Sequence, residues 1–568
     1  MTTHELEVHV DSQCRLFPED LHSRPVEVPL SIIDATVAGF APTSAVWLYD
    51  APLKEQDRLA FSPDNLTKSL KKALNAYPHW AGKLERVPYV PGGNHTQRYG
   101  RLSLSYGHLS DPGVEFVIAR CPQLLASIAP SAAERAGTPN SWNAGAFPIK
   151  NLLPYTQLPE LDKPDNSNPP CFIIQLTIFA CGGLAITTQM SHPLADAQSL
   201  VQFMHDWSRI NRALLARPTL PVSSPLFDPS LLDARAAGDI DSLTPDPSLI
   251  SLARSLPLNR NDWWTPAPQS APTHPDGITP PPGLDPALIA PRGMPLPWPH
   301  QWDFSAPCGC LILHFTADEV QRLWEAASLS SDITITRMDA ILAHVWTLIN
   351  RARGVTSTPE NPVYMNLTFN LRPRVSPPLP TTFIGSPIQL AAVTLPSPSL
   401  SQTTARDPTI TAMAQAIHST LSLFTQSPNA LPALLHSQAH EPHPTRFWQG
   451  LLGSHNLIIT PWTQIGLHEV DFIGTGQKPR YAGGVMPDGC DGVVVVAEAG
   501  VQESAAETSE SESEGDIDGG STSTKERGRG SRRGRHWTAN GVDVSLYLAQ
   551  KTLDRLADDK EVHRYRKT

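Results

Sequence analysis

The chain has 568 residues, too long for one ordinary core and suited to two domains of roughly 200 residues each plus connections. Its 44 basic and 55 acidic residues leave a formal charge of −11, which removes any general attraction for nucleic acid or anionic membrane. Seven scattered cysteines without a CxxC pair or zinc spacing point to free thiols in a reducing compartment and to no metal site.

Taken from the N-terminus, the first residues carry no basic run and no apolar stretch of the signal-peptide kind, so the expectation is a cytoplasmic protein. Ser62-Pro63-Asp64 reads as a helix cap, with Leu66, Leu70, Ala73 and Leu74 forming one face. Residues 114–119 read as a strand. Residues 172–179 and 184–189 read as two strands joined by a Gly182-Gly183 turn, too interrupted to cross a membrane. Leu200, Phe203, Met204, Trp207 and Ile210 then recur at helical spacing.

From 218 to 307 the chain is crowded with proline, including Pro280-Pro281-Pro282. Few regular elements survive such a stretch, apart from a short helix expected near 247–255. Capping signals at Thr316 and Thr336 open two further helices. Strand-like runs fall at 311–315, 363–369, 388–393, 457–459 and 493–497. Residues 502–535 begin with seven carboxylates between Glu503 and Asp518 and continue with six basic residues between Lys525 and Arg535 among Gly and Ser, a composition expected to be disordered. Alternating Val542, Val544 and Leu546 resume a strand, and a helical pattern follows at 548–558. The expected fold is α/β, with mixed sheets in two lobes. The expected division is an N-terminal lobe at 1–215, a Pro-rich crossover at 216–307 and a C-terminal lobe at 308–568.

The segment with chemistry is Ser191-His192-Pro193-Leu194-Ala195-Asp196, between a strand and a helix. Histidine suits general-base work near neutral pH, and an aspartate four residues on can lock the turn. HxxxD is a weak pattern alone: with 20 histidines about one match arises by chance, and His314 to Asp318 is a second copy. That copy has a structural reading, because Asp318 falls in the first turn of the helix capped by Thr316. His205 and His344 lie on helical patterns and read as packing or surface residues. Trp462 also reads as a core aromatic.

Five collinear segments resemble the BAHD acyltransferases, plant and fungal enzymes that acylate natural products from acyl-CoA. They are the strand, Cys181-Gly182-Gly183 turn, strand and HxxxD of 174–196; Tyr77-Pro78-His79-Trp80-Ala81-Gly82-Lys83-Leu84; Asp339 to Trp346 with Ala352-Arg353; Asn370-Leu371-Arg372-Pro373-Arg374 with Pro377 to Pro380 and Gly385; and Thr460-Pro461-Trp462 with Asp471-Phe472-Ile473-Gly474-Thr475-Gly476 and Lys478-Pro479. The resemblance implies two chloramphenicol-acetyltransferase-like domains with an active-site channel between them. It assigns the catalytic base to His192 and structural support to Asp196, Arg372 and Asp471, a buried Asp196 or Asp471 paired to Arg372 being a fold clasp without chemistry. It gives a substrate or oxyanion role to Trp462 and Thr460, and a CoA-side loop to Gly474 and Gly476. It further implies acyl-CoA as co-substrate with no permanently bound cofactor, a small-molecule acceptor, and a monomer working in secondary metabolism. Three departures stand out. Ser191 and Ala197 replace a common histidine and glycine, and the family's DFGWGKP is two residues longer here and lacks its tryptophan.

Overall fold

The computed structural model describes residues 6–566 apart from 21–23, 138–140, 145–148, 162–166, 218–220, 265–279, 281–283, 286–292, 330, 356, 396–407 and 501–535. The segment expected to be disordered, 502–535, and much of the Pro-rich crossover therefore lie outside the described residues.

Two large mixed sheets organise the molecule. The first has six strands in the order His9–Leu16, Val114–Cys121, Phe172–Phe179, Leu184–Met190, Thr43–Tyr49 and Tyr481–Gly484. The second has seven: Ile388–Leu395, Val363–Asn370, Asn456–Trp462, Val493–Glu498, Val542–Ala549, Cys308–Phe315 and Ser141–Asn143. Two strands cross between the halves of the chain. Tyr481–Gly484 pairs with Thr43–Tyr49 at the edge of the first sheet, and Ser141–Asn143 pairs with Cys308–Phe315 at the edge of the second.

Side chains of a strand alternate between faces, and the second sheet uses this to divide two cores. Cys310, Ile312, Val493, Val495, Trp462 and Tyr547 join the core of the first sheet. Their neighbours Leu311, Leu313, Val494, Val496, Leu457 and Leu546 turn the other way, to a second core shared with the helices Ala317–Ser328 and Arg337–Arg353. Burial on both faces is why these strands are continuously apolar. Each of those helices opens on the expected capping box, at Thr316 and Thr336. The short helix Pro247–Ser255 is present within the Pro-rich stretch.

Candidate active site

Phe172–Phe179 and Leu184–Met190 form an antiparallel hairpin through the Gly182 turn, whose φ of 79° suits glycine. The second strand ends at Met190. Ser191 donates its N–H to the Cys171 carbonyl (2.9 Å), and His192–Leu194 makes one tight turn. Thr43 Oγ1 donates to the Ala195 carbonyl (2.6 Å), tying that turn to the neighbouring strand. Asp196 is the N-cap of the helix Ala197–Leu214, accepting from Ser199 N at 2.9 Å. The helix is held by the buried stripe Leu200, Phe203, Met204 and Trp207.

Asp196 faces away from His192, into a bidentate pair with Arg372: Nη1 donates to Oδ2 at 2.5 Å and Nη2 to Oδ1 at 3.0 Å. Arg372 is 2% exposed and Asp196 5%. The guanidinium also donates to the Phe383 carbonyl (3.0 Å) and Ser199 Oγ (2.9 Å). Asp196 N donates to the Gly385 carbonyl at 3.0 Å. The clasp therefore joins the loop after the first sheet to the segment 383–386 leading into the second.

The same segment reaches the histidine. Ser386 Oγ donates to the His192 carbonyl and lies 3.3 Å from His192 Nδ1. The Ser386 N–H is in turn held by Asp34 Oδ1 at 2.7 Å. Asp34 is buried, its other oxygen accepts from Ser31 Oγ (2.6 Å), and burial raises its carboxyl to about 7. The Phe40 and His192 rings meet at right angles with centroids 5.6 Å apart. The imidazole is half-buried, and desolvation lowers it to about 4, opposed by a hydrogen bond to its own carbonyl and by the Asp196 charge. Because the Ser386 hydroxyl gives its proton to the His192 carbonyl, at Nδ1 it can only accept, which puts the ring proton on Nδ1 and leaves the Nε2 lone pair for chemistry.

Asp471 belongs elsewhere. Its carboxylate accepts from Ile473 N (2.9 Å), Gly474 N (2.7 Å) and Gly476 N (3.1 Å). Gly474 and Gly476 take φ of 85° and 82°, a region favourable to glycine. The ion pair of Asp471 is with Arg212 at 3.5 Å, not with Arg372 as one reading of the sequence had it. Arg212 sits 16 residues beyond Asp196, about 24 Å along the same helix, so the two aspartates serve opposite ends of it. Asp471→Ala strips three N–H groups of their acceptor and should cost about 2–4 kcal/mol. Urea unfolding measures this, and an unchanged midpoint would show that the loop holds without the carboxylate.

Thr460 and Trp462 lie on Asn456–Trp462, and the Trp462 ring is buried against Gly484. Neither has a described hydrogen bond to His192. The second HxxxD copy resolves differently: His314 Nδ1 lies 2.7 Å from Asp543, while Asp318 is 82% exposed beside Arg322. His344 and His205 are hydrogen-bonded to the Val562 and Gly466 carbonyls. Asp34, Phe40 and Ser386 were not singled out by sequence reasoning. No helix among the described residues is long and apolar enough to cross a membrane.

The sequence profile described as "Transferase family" matches residues 6–255 and 310–507, most of the chain. The chain belongs to this family, as a BAHD acyltransferase. Acyltransferase AFT15-1 of Alternaria alternata is 28% identical over 68% of this chain and 72% of its own length. A hydroxycinnamoyltransferase of Narcissus pseudonarcissus is 25% identical over 80% and 85%. Among solved structures, vinorine synthase superposes with a TM-score of 0.58 at 16% identity, covering 97% of this chain and 96% of its own. TRI101 of F. graminearum, in complex with coenzyme A and deoxynivalenol, gives 0.58 at 15% identity, over 95% and 99%. The BAHD fold of two domains is thus the fold of this acyltransferase.

Proposed function

We propose that this BAHD enzyme moves an acyl group from a coenzyme A thioester to a hydroxyl or amine of a small natural-product acceptor, with His192 as general base. The observation that carries the proposal is the setting of His192. Its ring is half-buried at a strand end, its Nδ1 faces Ser386 Oγ, and its loop is pinned by the Asp196–Arg372 clasp. The naming of TRI101 as a coenzyme A complex supports the choice of donor.

In this reading His192 Nε2 takes the acceptor's proton as its oxygen or nitrogen attacks the thioester carbonyl. The C–S bond then breaks, and the thiolate recovers the proton from the imidazolium. No enzyme nucleophile is needed, and the seven cysteines, all free, have no part in it. Thr460 and Trp462 are assigned to the substrate or its oxyanion, and Gly474 and Gly476 to the CoA side. The setting proposed is a cytoplasmic monomer of secondary metabolism.

The test is release of free CoA from a panel of acyl-CoA esters mixed with alcohols and amines. Acceptor-dependent release supports the proposal. Turnover confined to carrier-bound acyl groups would replace it with a condensation-type reaction.

The pH profile is a second check. A base must be neutral to act, and the His192 imidazole is lowered to about 4. The acid limb of kcat/KM should therefore fall as pH drops through about 4, far below the ordinary histidine value of about 6.5. A limb near 6.5, with the fold intact by circular dichroism, would contradict this setting of the ring.

A further inference from the structure

Among the described residues, Ser386 is the only side chain hydrogen-bonded to the His192 ring. Where its hydroxyl stands therefore decides where the imidazole points. That hydroxyl is carried by the peptide unit joining Gly385 to Ser386, and the unit is held at both ends. The Gly385 carbonyl accepts from Asp196 N (3.0 Å) and Ser199 Oγ (2.9 Å). The Ser386 N–H donates to Asp34 Oδ1 at 2.7 Å. Gly385 takes a φ of 144°, open to glycine, so its own backbone does not fix the unit. The contacts at the two ends do.

One end belongs to the Asp196–Arg372 clasp. The other is Asp34, which also has an ordinary structural task. It is the third residue of a capping box, and its Oδ2 accepts from Ser31 N (3.2 Å) and Ser31 Oγ (2.6 Å). That task uses one oxygen and does not require burial. Asp34 is nevertheless 1% exposed and has no ion pair among the described residues; the charge it feels is Asp233, of its own sign. A buried carboxyl without a counter-ion is costly. Its second oxygen is turned to a peptide 352 positions away. The helix beneath it is anchored too: Ile32 N donates to Asp233 Oδ1 at 2.9 Å, and Asp233 Oδ2 lies 3.2 Å from His95 Nε2. The hold on Ser386 survives protonation of the carboxyl, because a proton on Oδ2 can be given to Ser31 Oγ while Oδ1 still accepts.

We infer that Asp34 is a positioning residue for acyl transfer: by holding the Ser386 N–H it fixes Ser386 Oγ against His192 Nδ1, and so aims the imidazole Nε2 at the acceptor. The inference rests on the reading of His192 as base. The work is divided between two aspartates. Asp196, through Arg372, holds the backbone of the loop, and Asp34, through Ser386, holds the ring. Asp34 is buried, so it reaches the reaction only through Ser386 and the imidazole. Its loss should therefore act on the rate of the bound complex and spare substrate binding, since a small misplacement of a proton acceptor slows the step it serves.

The experiment is a double-mutant cycle on the full chain with Asp34→Ala and Ser386→Ala. It reads CoA release with an acyl-CoA and acceptor pair that the wild type turns over. Each single variant should lower kcat about tenfold and leave KM within about twofold. The double variant should stay within about twofold of the lower single, because without the hydroxyl Asp34 has nothing left to place. A purely structural Asp34 would lower the melting temperature and leave the kcat of the folded fraction, read by circular dichroism, unchanged. If Asp34→Ala does not fold, Asp34→Ser completes the cycle: it keeps a polar atom at the helix start but is too short to reach Ser386. Effects that multiply to about a hundredfold, a wild-type kcat in the Asp34 variant, or a change confined to KM would overturn the inference. His192→Ala, run alongside, keeps the failures apart. Multiplying effects with an inactive His192→Ala sink this inference alone. A fully active His192→Ala, or a wild type that turns over no pair, sinks the base reading and this inference with it.

Discussion

His192→Ala should lower kcat/KM for acyl transfer by about 10²–10⁴-fold, the usual contribution of a positioned proton acceptor. The effect should fall on kcat more than on KM. The ring acts on a proton that moves only as the bond forms, so its loss leaves ground-state binding of the substrates largely intact. The variant should remain folded, since the imidazole is half-buried and the loop is fixed by Thr43, Ser386 and the Asp196–Arg372 pair rather than by the ring. Free-CoA release and circular dichroism on the same samples check both halves. Equal rates for wild type and variant would sink His192 as the base.

Arg372→Met should destabilise the protein by about 3–5 kcal/mol, because it leaves the buried Asp196 carboxylate without its counter-ion. Both Asp196 oxygens, the Phe383 carbonyl and Ser199 Oγ lose a donor in one step. Part of the loss should return in the double variant Arg372→Met with Asp196→Asn, which removes the stranded charge and keeps a helix cap. Urea midpoints for the four proteins of this cycle measure the coupling. Values that simply add would mean that the pair does not act as a clasp. The activity of Arg372→Met should also fall, through misplacement of the His192 loop.

The chemistry-bearing segment was legible because its pattern is local. Two apolar runs, a Gly-Gly turn and a capped helix place His192 at a strand end without any long-range information. The partner of Asp196 was not local, and Arg372 came only from the resemblance. Asp34 and Ser386 could not be read at all. They meet across 352 positions, and the group Asp34 binds is a backbone N–H, which every residue but proline carries. The same limit explains Asp471, whose partner Arg212 follows from where one helix ends. Strand His9–Leu16 escaped because it is a largely exposed edge with no apolar alternation. The helix Ala430–Ala439 escaped for the opposite reason: it is buried on every side and shows no polar face to set its period.

The exchange of edge strands bears on how the chain is made. Trp47 finds the carbonyl of Leu467 for its indole N–H 420 positions downstream, and Thr43–Tyr49 has no neighbour on its outer side until 481–484 arrive. During synthesis, therefore, a nearly finished N-terminal sheet carries an open, apolar edge for most of the time on the ribosome, the kind of edge that pairs with other chains. Expression clones that stop before residue 481 should accumulate as aggregates, and the full chain should draw on chaperones the more, the more slowly its second half is translated.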